Sequence, residues 1–260
     1  MVKIAPVHTA WAAYSACIRH HRALLQLSLG WITLLAGLVL AGMIPWPDLI
    51  AWPLLLAKLA AVPIAAAAFV VACCRVVLLD EEPPLLITLR FGARERRCAI
   101  HLLGIAALPG VPLLLLALLL GTGTWWAPFA ALAWLLLIVA PALAASARLA
   151  IALPAIAIDE PGDLLPVVWR HSRRCGQRLL YGWLLCMLPW LVPSALLFAA
   201  LDHGATAPSA APMAELLACP LGFLALAASA AFFAYAFAQL AEGAPAEDAA
   251  ADARVEPRLV

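Results

Sequence analysis

The residues that could do chemistry here are arginines, and they come in clusters. Arg94, Arg96 and Arg97 form one group, and Arg170, Arg173, Arg174 and Arg178 form another. Guanidinium groups at that density bind phosphate, and next to a bilayer each basic residue contributes about 1 kcal/mol toward anionic lipid. The plainer alternative is that they only orient the helices behind them. His101 and His171 lie close enough in sequence to add pH-dependent charge. Two acidic groups, Asp80/Glu81/Glu82 and Asp159/Glu160/Asp163, could ligate a divalent cation, but pairing with the nearby arginines is the simpler expectation.

Two cations stand apart. Lys58 is flanked by apolar sequence, and a charge at mid-bilayer costs at least about 2.5–3.5 kcal/mol. Counting back from Arg75 places the outer end of that helix near Leu55, so Lys58 is only roughly 5 Å inside. A lysine stem can snorkel that far; contact with a substrate or partner is the sharper alternative. Arg148 interrupts an apolar stretch from Ala127 to Ile158 that is too long for one span. Either the helix stops near Arg148 and Leu149–Ile158 lies in the interface, or a long helix carries Arg148 inward, toward Asp159 or Glu160. Pro154 favours the first, because proline breaks a helix.

The rest of the catalytic vocabulary is missing. There is no GxSxG, no HExxH and no carboxylate pair inside an apolar run, and Gly121-Thr122-Gly123-Thr124 lacks the lysine of a phosphate loop. His203 beside Asp202 is a weak base or metal candidate. The expectation is a non-enzymatic chain with no catalytic residues, no metal and no cofactor.

The elements that must position these groups are long apolar helices. Of the 260 residues 66% are apolar and only 12% charged, against about 45–50% and about 25% in soluble domains. Six runs reach the roughly 20 residues a span needs: 24–44, 53–74, 102–121, 127–147, 179–200 and 215–239. Fifteen of the sixteen Lys and Arg fall in 3–22, 75–97, 148–178 and 254–258, and every alternate turn lacks them. That is the positive-inside pattern. It predicts an all-α integral membrane protein of six transmembrane helices, with both termini cytoplasmic. The run from Ala23 to Ile44 is too long for a signal-peptide core and reads as an uncleaved first span. Trp46, Trp52, Trp125 and Trp126 mark the outer interface; Trp169, Tyr181, Trp183 and Tyr235 mark the inner one.

Three inner segments carry an apolar helical face ahead of a span: Trp11, Tyr14 and Ile18; Leu85, Leu86 and Leu89; Leu164, Leu165, Val168 and Trp169. They predict short amphipathic helices on the cytosolic leaflet, with Pro83-Pro84 and Pro161-Gly162-Asp163 as helix starts. Arg96-Arg97-Cys98 then Leu102-Leu103 matches Arg173-Arg174-Cys175 then Leu179-Leu180, and Asp80-Glu81-Glu82-Pro83 matches Asp159-Glu160-Pro161. With Arg19-His20-His21-Arg22 as a fainter copy, the pattern predicts a threefold hairpin repeat over 1–240. The Ala/Glu/Asp/Pro tail, 241–260, reads as disordered and cytosolic.

Five spans contain proline, and Lys58, Pro63 and Pro141 are the residues around which a transport cavity would form. Against that, the helix interiors hold almost no ionisable groups. Ala218, Gly222, Ala225 and Ser229 predict a close helix-packing face instead. The seven cysteines form no CxxC pair, and they read as small apolar fillers with no disulfide.

Arg148-Leu-Ala-Ile-Ala-Leu-Pro154-Ala-Ile-Ala-Ile-Asp159-Glu160, followed by Trp169-Arg170-His171-Ser172, resembles a bacterial family named after the membrane domain of glycerophosphoryl diester phosphodiesterase. Arg75-Val-Val-Leu-Leu-Asp80, with Arg90-Phe91-Gly92 and Arg94-Glu95-Arg96, is similar to that family's first inner loop. The likeness covers about 75–200. Trp-Arg-His-Ser stands where the family has Ser-Trp, and no catalytic domain accompanies it. The resemblance implies a fold and a bacterial inner membrane, not hydrolysis.

The function expected from all this is engagement of anionic lipid or a protein partner by the cytosolic face. Arg94, Arg96, Arg97, Arg148, Arg170, Arg173, Arg174 and Arg178 are the binding residues in that reading. Nucleic acid is not an expected partner. The rival is a small permease or export subunit with its cavity at Lys58.

Overall fold

The computed structural model describes residues 5–44, 48–81, 92–120, 127–159, 172, 175–204 and 210–255. The elements are α1 (Pro6–Arg19), α2 (His21–Gly42), α3 (Asp48–Leu79), α4 (Ala93–Leu120), α5 (Ala127–Trp134), a π turn (Leu135–Val139), α6 (Ala140–Leu149), α7 (Ala152–Ala157), α8 (Gly176–Gly204) and α9 (Ala210–Val255). Six helices are long and apolar enough to cross a membrane: His21–Gly42, Trp52–Leu79, Ala93–Leu118, Ala131–Ala157, Gly176–Leu197 and Ala214–Ala241. Each falls on one of the six runs read from the sequence.

Most of the helices begin before their apolar cores, and α3, α8 and α9 also run beyond them. α4 starts at Ala93, so Arg94, Arg96 and Arg97 occupy its first turn and a half. The Glu95 carboxylate accepts the Gly92 N–H at 2.8 Å, which satisfies one donor that a helix start leaves open. At the other end of the chain α9 runs on to Val255. Helix thus continues through 242–255, where composition predicts disorder. Alanine, the strongest helix former, dominates that stretch.

The fourth span is built in pieces, and proline explains each break. Pro141 has no N–H for the Leu137 carbonyl, and just upstream the ladder slips to i→i−5, with Ala140 N–H bonded to the Leu135 carbonyl. Pro154 cannot donate to Ala150; Leu153 N–H takes that carbonyl instead, at 3.1 Å. The helix is interrupted at Ala150–Ile151, and Pro154 lies in the first turn of α7. α6 ends at Leu149, as the first of the two sequence readings expects, and the segment beyond it packs against protein. All six residues of α7 are buried in protein, packed among α3, α4 and α9. The segment is small and uncharged, so three helices can close around it.

The even spans form the centre. The most apolar windows of the second and sixth spans are each 50% buried and the fourth 33%, against 28%, 11% and 17% for the first, third and fifth. α3, α7 and α9 touch one another, and each even span also meets the odd span of the next hairpin: α3 with α4, α6 with α8, α9 with α2. Alanines let the backbones approach, among them Ala65, Ala67, Ala68, Ala227, Ala228 and Ala231, all buried. Phe69 and Phe223 fill the middle edge to face, 5.0 Å between centroids. The outward faces carry large apolar side chains such as Leu114, Leu118 and Leu196.

The predicted small-residue face on the last span needs correction. Ala225 and Ser229 are buried, but Gly222 is exposed, and a Cβ added there would meet nothing within 4 Å. The close approach is at Gly182, where a Cβ would lie 2.5 Å from the Phe232 ring and 3.3 Å from Pro6.

α1 is a helix of its own, as its apolar face predicts. It packs on α8 and α9 through Thr9, Ala10, Ala13 and Ala16, while Trp11 and Ile18 are 73% and 74% exposed. Tyr14 donates to the Cys186 carbonyl at 2.7 Å. The Thr9 hydroxyl sits between the Ala5 carbonyl (3.0 Å) and Gln239 Oε1 (3.4 Å). The segments around Leu85 and Leu164 lie outside the described residues.

Candidate functional site

One end of the bundle gathers the starts of α2, α4 and α8 and the ends of α3, α7 and the last span. Two aspartates terminate helices there. Asp80 follows α3 with φ 53°, and Asp159 follows α7 with φ 54°. A non-glycine residue adopts that left-handed conformation rarely, and aspartate is one of the few that tolerates it. The turn aims each carboxylate back toward the start of its own hairpin. The Arg94 guanidinium donates to Asp159, and His20 Nδ1 lies 3.9 Å from Asp80. The hydrogen bond from Arg94 and the charges of Arg94, Arg97 and Arg75 hold the Asp159 carboxyl below its ordinary pKa.

Arg75 is also committed. It donates through Nε to Glu81 at 2.7 Å, through a second nitrogen to the same carboxylate, and through Nη1 to the Ala157 carbonyl at 3.2 Å. It therefore ties α3 to the end of α7. Glu81 and Asp159 pair with arginines, as their spacing predicts. Glu82, Glu160 and Asp163 lie outside the described residues. Among the described residues no cluster of His, Cys, Asp or Glu is arranged to hold a metal ion.

The eight predicted arginines divide. Arg94 is bound to Asp159. Arg148, half-buried, lies across Gly176, where an added Cβ would meet its Nε at 2.3 Å; glycine at the start of α8 makes that crossing available. Arg96, Arg97 and Arg178 are exposed and hold no ion pair among the described residues. Arg170, Arg173 and Arg174 lie outside those residues, as does His171. The His101 ring contacts the Arg97 carbonyl at 2.9 Å, on its own helix. Arg19 and Arg22, at the α1–α2 junction, are exposed at the same end.

Lys58, at the opposite end, has a partner that sequence reasoning missed. It pairs with Glu215 of α9. The clue was available: each is the one Lys, Arg, Asp or Glu inside its apolar run, and α3 and α9 are neighbours. Pro63 lies inside α3 and Pro141 in the first turn of α6. None of Lys58, Pro63 and Pro141 lines the pocket that α1, α2, α3, α8 and α9 enclose. His203 and Asp202 have no described side chains.

That pocket has a volume of about 230 Å³ and is lined almost wholly by apolar atoms, with Tyr14, His21, Ser28 and Trp190 the polar contributors. No spacing in the sequence marked it, because its walls come from five helices. Burial pushes the Cys17 thiol at its edge up to about 11. All seven cysteines are free thiols.

Six apolar helices make this, by length and composition, a multi-span helical membrane protein. No family model, curated protein or solved structure matches the chain.

Proposed function

We propose that this is a non-enzymatic protein of a bacterial inner membrane, with both termini cytoplasmic, that engages anionic lipid through its basic inner face. One observation carries the reading. Arg96, Arg97 and Arg178 are exposed and without ion pairs among the described residues, while Arg75 and Arg94, from the same end, are held by carboxylates. A charge needed only for folding would be expected among the second kind. A free guanidinium at the headgroup level pairs with phosphate. The positive-inside distribution of Lys and Arg supports the orientation.

In this reading α1 lies in the inner interface, Trp11 and Ile18 in lipid and its alanine face on α8 and α9. The three hairpins, each clasping the next, are three copies of one unit.

The test is the triple substitution R96Q/R97Q/R178Q, compared with wild type for the anionic lipid retained after gentle extraction. The variant should unfold at the wild-type temperature and retain several-fold less phosphatidylglycerol or cardiolipin. Equal retention would overturn the proposal. In that case a protein partner on the same face is the next reading, and flux assays on Lys58 variants address the permease alternative.

A further inference from the structure

The pocket has the form of a groove, and its polarity is lopsided. α9 supplies the floor from Pro220 to Ala228, nine residues that rise about 12 Å along the helix. α2 forms one wall and Trp190 of α8 the other; α1 closes one end with Tyr14. Floor and walls are apolar. The polar groups in the lining are the Tyr14 hydroxyl, which donates across to Cys186 of α8, the His21 ring, Ser28 and Trp190; next to His21 in the chain is the exposed Arg22.

Trp190 adds an independent observation. Its Nε1–H is buried and, among the described residues, meets no acceptor in hydrogen-bond geometry. It approaches the Tyr14 hydroxyl, which itself donates to Cys186, but falls short of a hydrogen bond. Buried indole N–H groups ordinarily find a partner.

Size narrows the occupant. Sites for drug-sized solutes run about 300–1,000 Å³, while an apolar cavity of about 150 Å³ takes up benzene. At about 230 Å³ the groove suits one hydrocarbon chain segment. The exposed leucines beside it, Leu25 and Leu29 on α2 and Leu188 and Leu191 on α8, make it continuous with a lipid-facing surface.

We propose that this groove holds one acyl chain of an anionic phospholipid, with an ester carbonyl accepting from Trp190 and the phosphate beside His21 and Arg22. The site rests on the lipid-binding reading above and deepens it, since it names a bound lipid held by residues other than Arg96, Arg97 and Arg178.

The experiment uses the full chain in nanodiscs containing phosphatidylglycerol with a photoreactive group on its acyl chain, followed by peptide mapping. Cross-links should concentrate on the α9 peptide around Phe223 and Ala227. Leu224→Trp, which fills the groove from its open side, should reduce them about tenfold. Trp190→Phe, which keeps the ring and removes the donor, should reduce them about threefold. Both variants are checked for wild-type unfolding temperature. Cross-links spread evenly over the outward faces of α4 and α8, or unchanged in Leu224→Trp, would overturn the groove. Retention of anionic lipid by the native protein would then leave the basic-face reading standing. Groove cross-links lost in Leu224→Trp, in a protein whose lipid retention ignores R96Q/R97Q/R178Q, would overturn the basic-face reading alone. Equal cross-linking by the phosphatidylcholine analogue would overturn the anionic assignment.

Discussion

Arg94 and Asp159 meet across 65 residues of chain, and their ion pair closes the second hairpin where its two ends meet. Asp159 reaches Arg94 because its φ of 54° turns the backbone sharply after α7. Asp80, at φ 53°, does the same after α3 and faces His20. The two aspartates stand in the similar segments Asp80-Glu81-Glu82-Pro83 and Asp159-Glu160-Pro161. Asp159→Asn keeps a residue that accepts the left-handed turn and removes only the charge. It should lower Tm by about 1–3 °C, as should Arg94→Gln, and the double variant should go little further. Additive losses would mean that the two groups act separately.

The pair also has a pH signature. The native Asp159 pKa is depressed, first by the Arg94 hydrogen bond. Its stabilisation is therefore present above the unfolded value of about 3.9 and is lost as pH falls through the lower native value. In an acid titration the wild type should lose its Tm advantage over Asp159→Asn below about pH 4. An advantage that persists there would contradict the assignment.

Gly182 and Gly222 make opposite predictions. An alanine Cβ at 182 would sit 2.5 Å from the Phe232 ring, and Phe232 is fully buried and cannot swing away. Gly182→Ala should cost about 1–3 kcal/mol, several degrees of Tm. At 222 nothing lies within 4 Å, so Gly222→Ala should be neutral or stabilise by about 0.5–1 kcal/mol through helix propensity. Thermal unfolding of both variants in detergent settles the packing face of the last span.

Much of this was legible in the sequence and some was not, for physical reasons. The six spans could be read because a bilayer demands about 20 apolar residues in a row, a one-dimensional constraint. The helical face of Trp11 and Ile18 was legible too, but the small face opposite it, Ala10 and Ala13, makes the protein contacts. Gly182, Glu215 as partner of Lys58, and the groove at Trp190 were not legible, since each depends on which helices become neighbours. The break near Arg148 was predicted; that α7 would be buried in protein was not, because apolar residues suit lipid and protein interior alike.

Lys58 and Glu215 are each partly exposed, so their pair is worth only about 0.2–1 kcal/mol. A charge swap tests it without needing a large effect. Lys58→Glu and Glu215→Lys should each lower Tm slightly, by placing like charges side by side, and the double swap should recover the wild-type value. A double variant as poor as the sum of the singles would exclude the contact.

Cys17 is half-buried, and loss of hydration raises its thiol from an ordinary 9.0 to about 11. The thiolate fraction at pH 8 is then about 100-fold lower than for a free cysteine. A variant retaining Cys17 alone should label with maleimide at least tenfold more slowly folded than denatured, and the folded rate should still climb between pH 8 and 10. Rapid labelling at pH 7 would mean that the α1–α8–α9 contact is open.

The measurement that bears most directly on the central claim is mass spectrometry of the protein extracted with its native lipid, set against an unrelated six-helix protein from the same membrane. The account predicts enrichment of anionic phospholipid on this protein, reduced by raised salt and several-fold lower in R96Q/R97Q/R178Q. A lipid profile matching the control, unchanged by salt or by those substitutions, would contradict it.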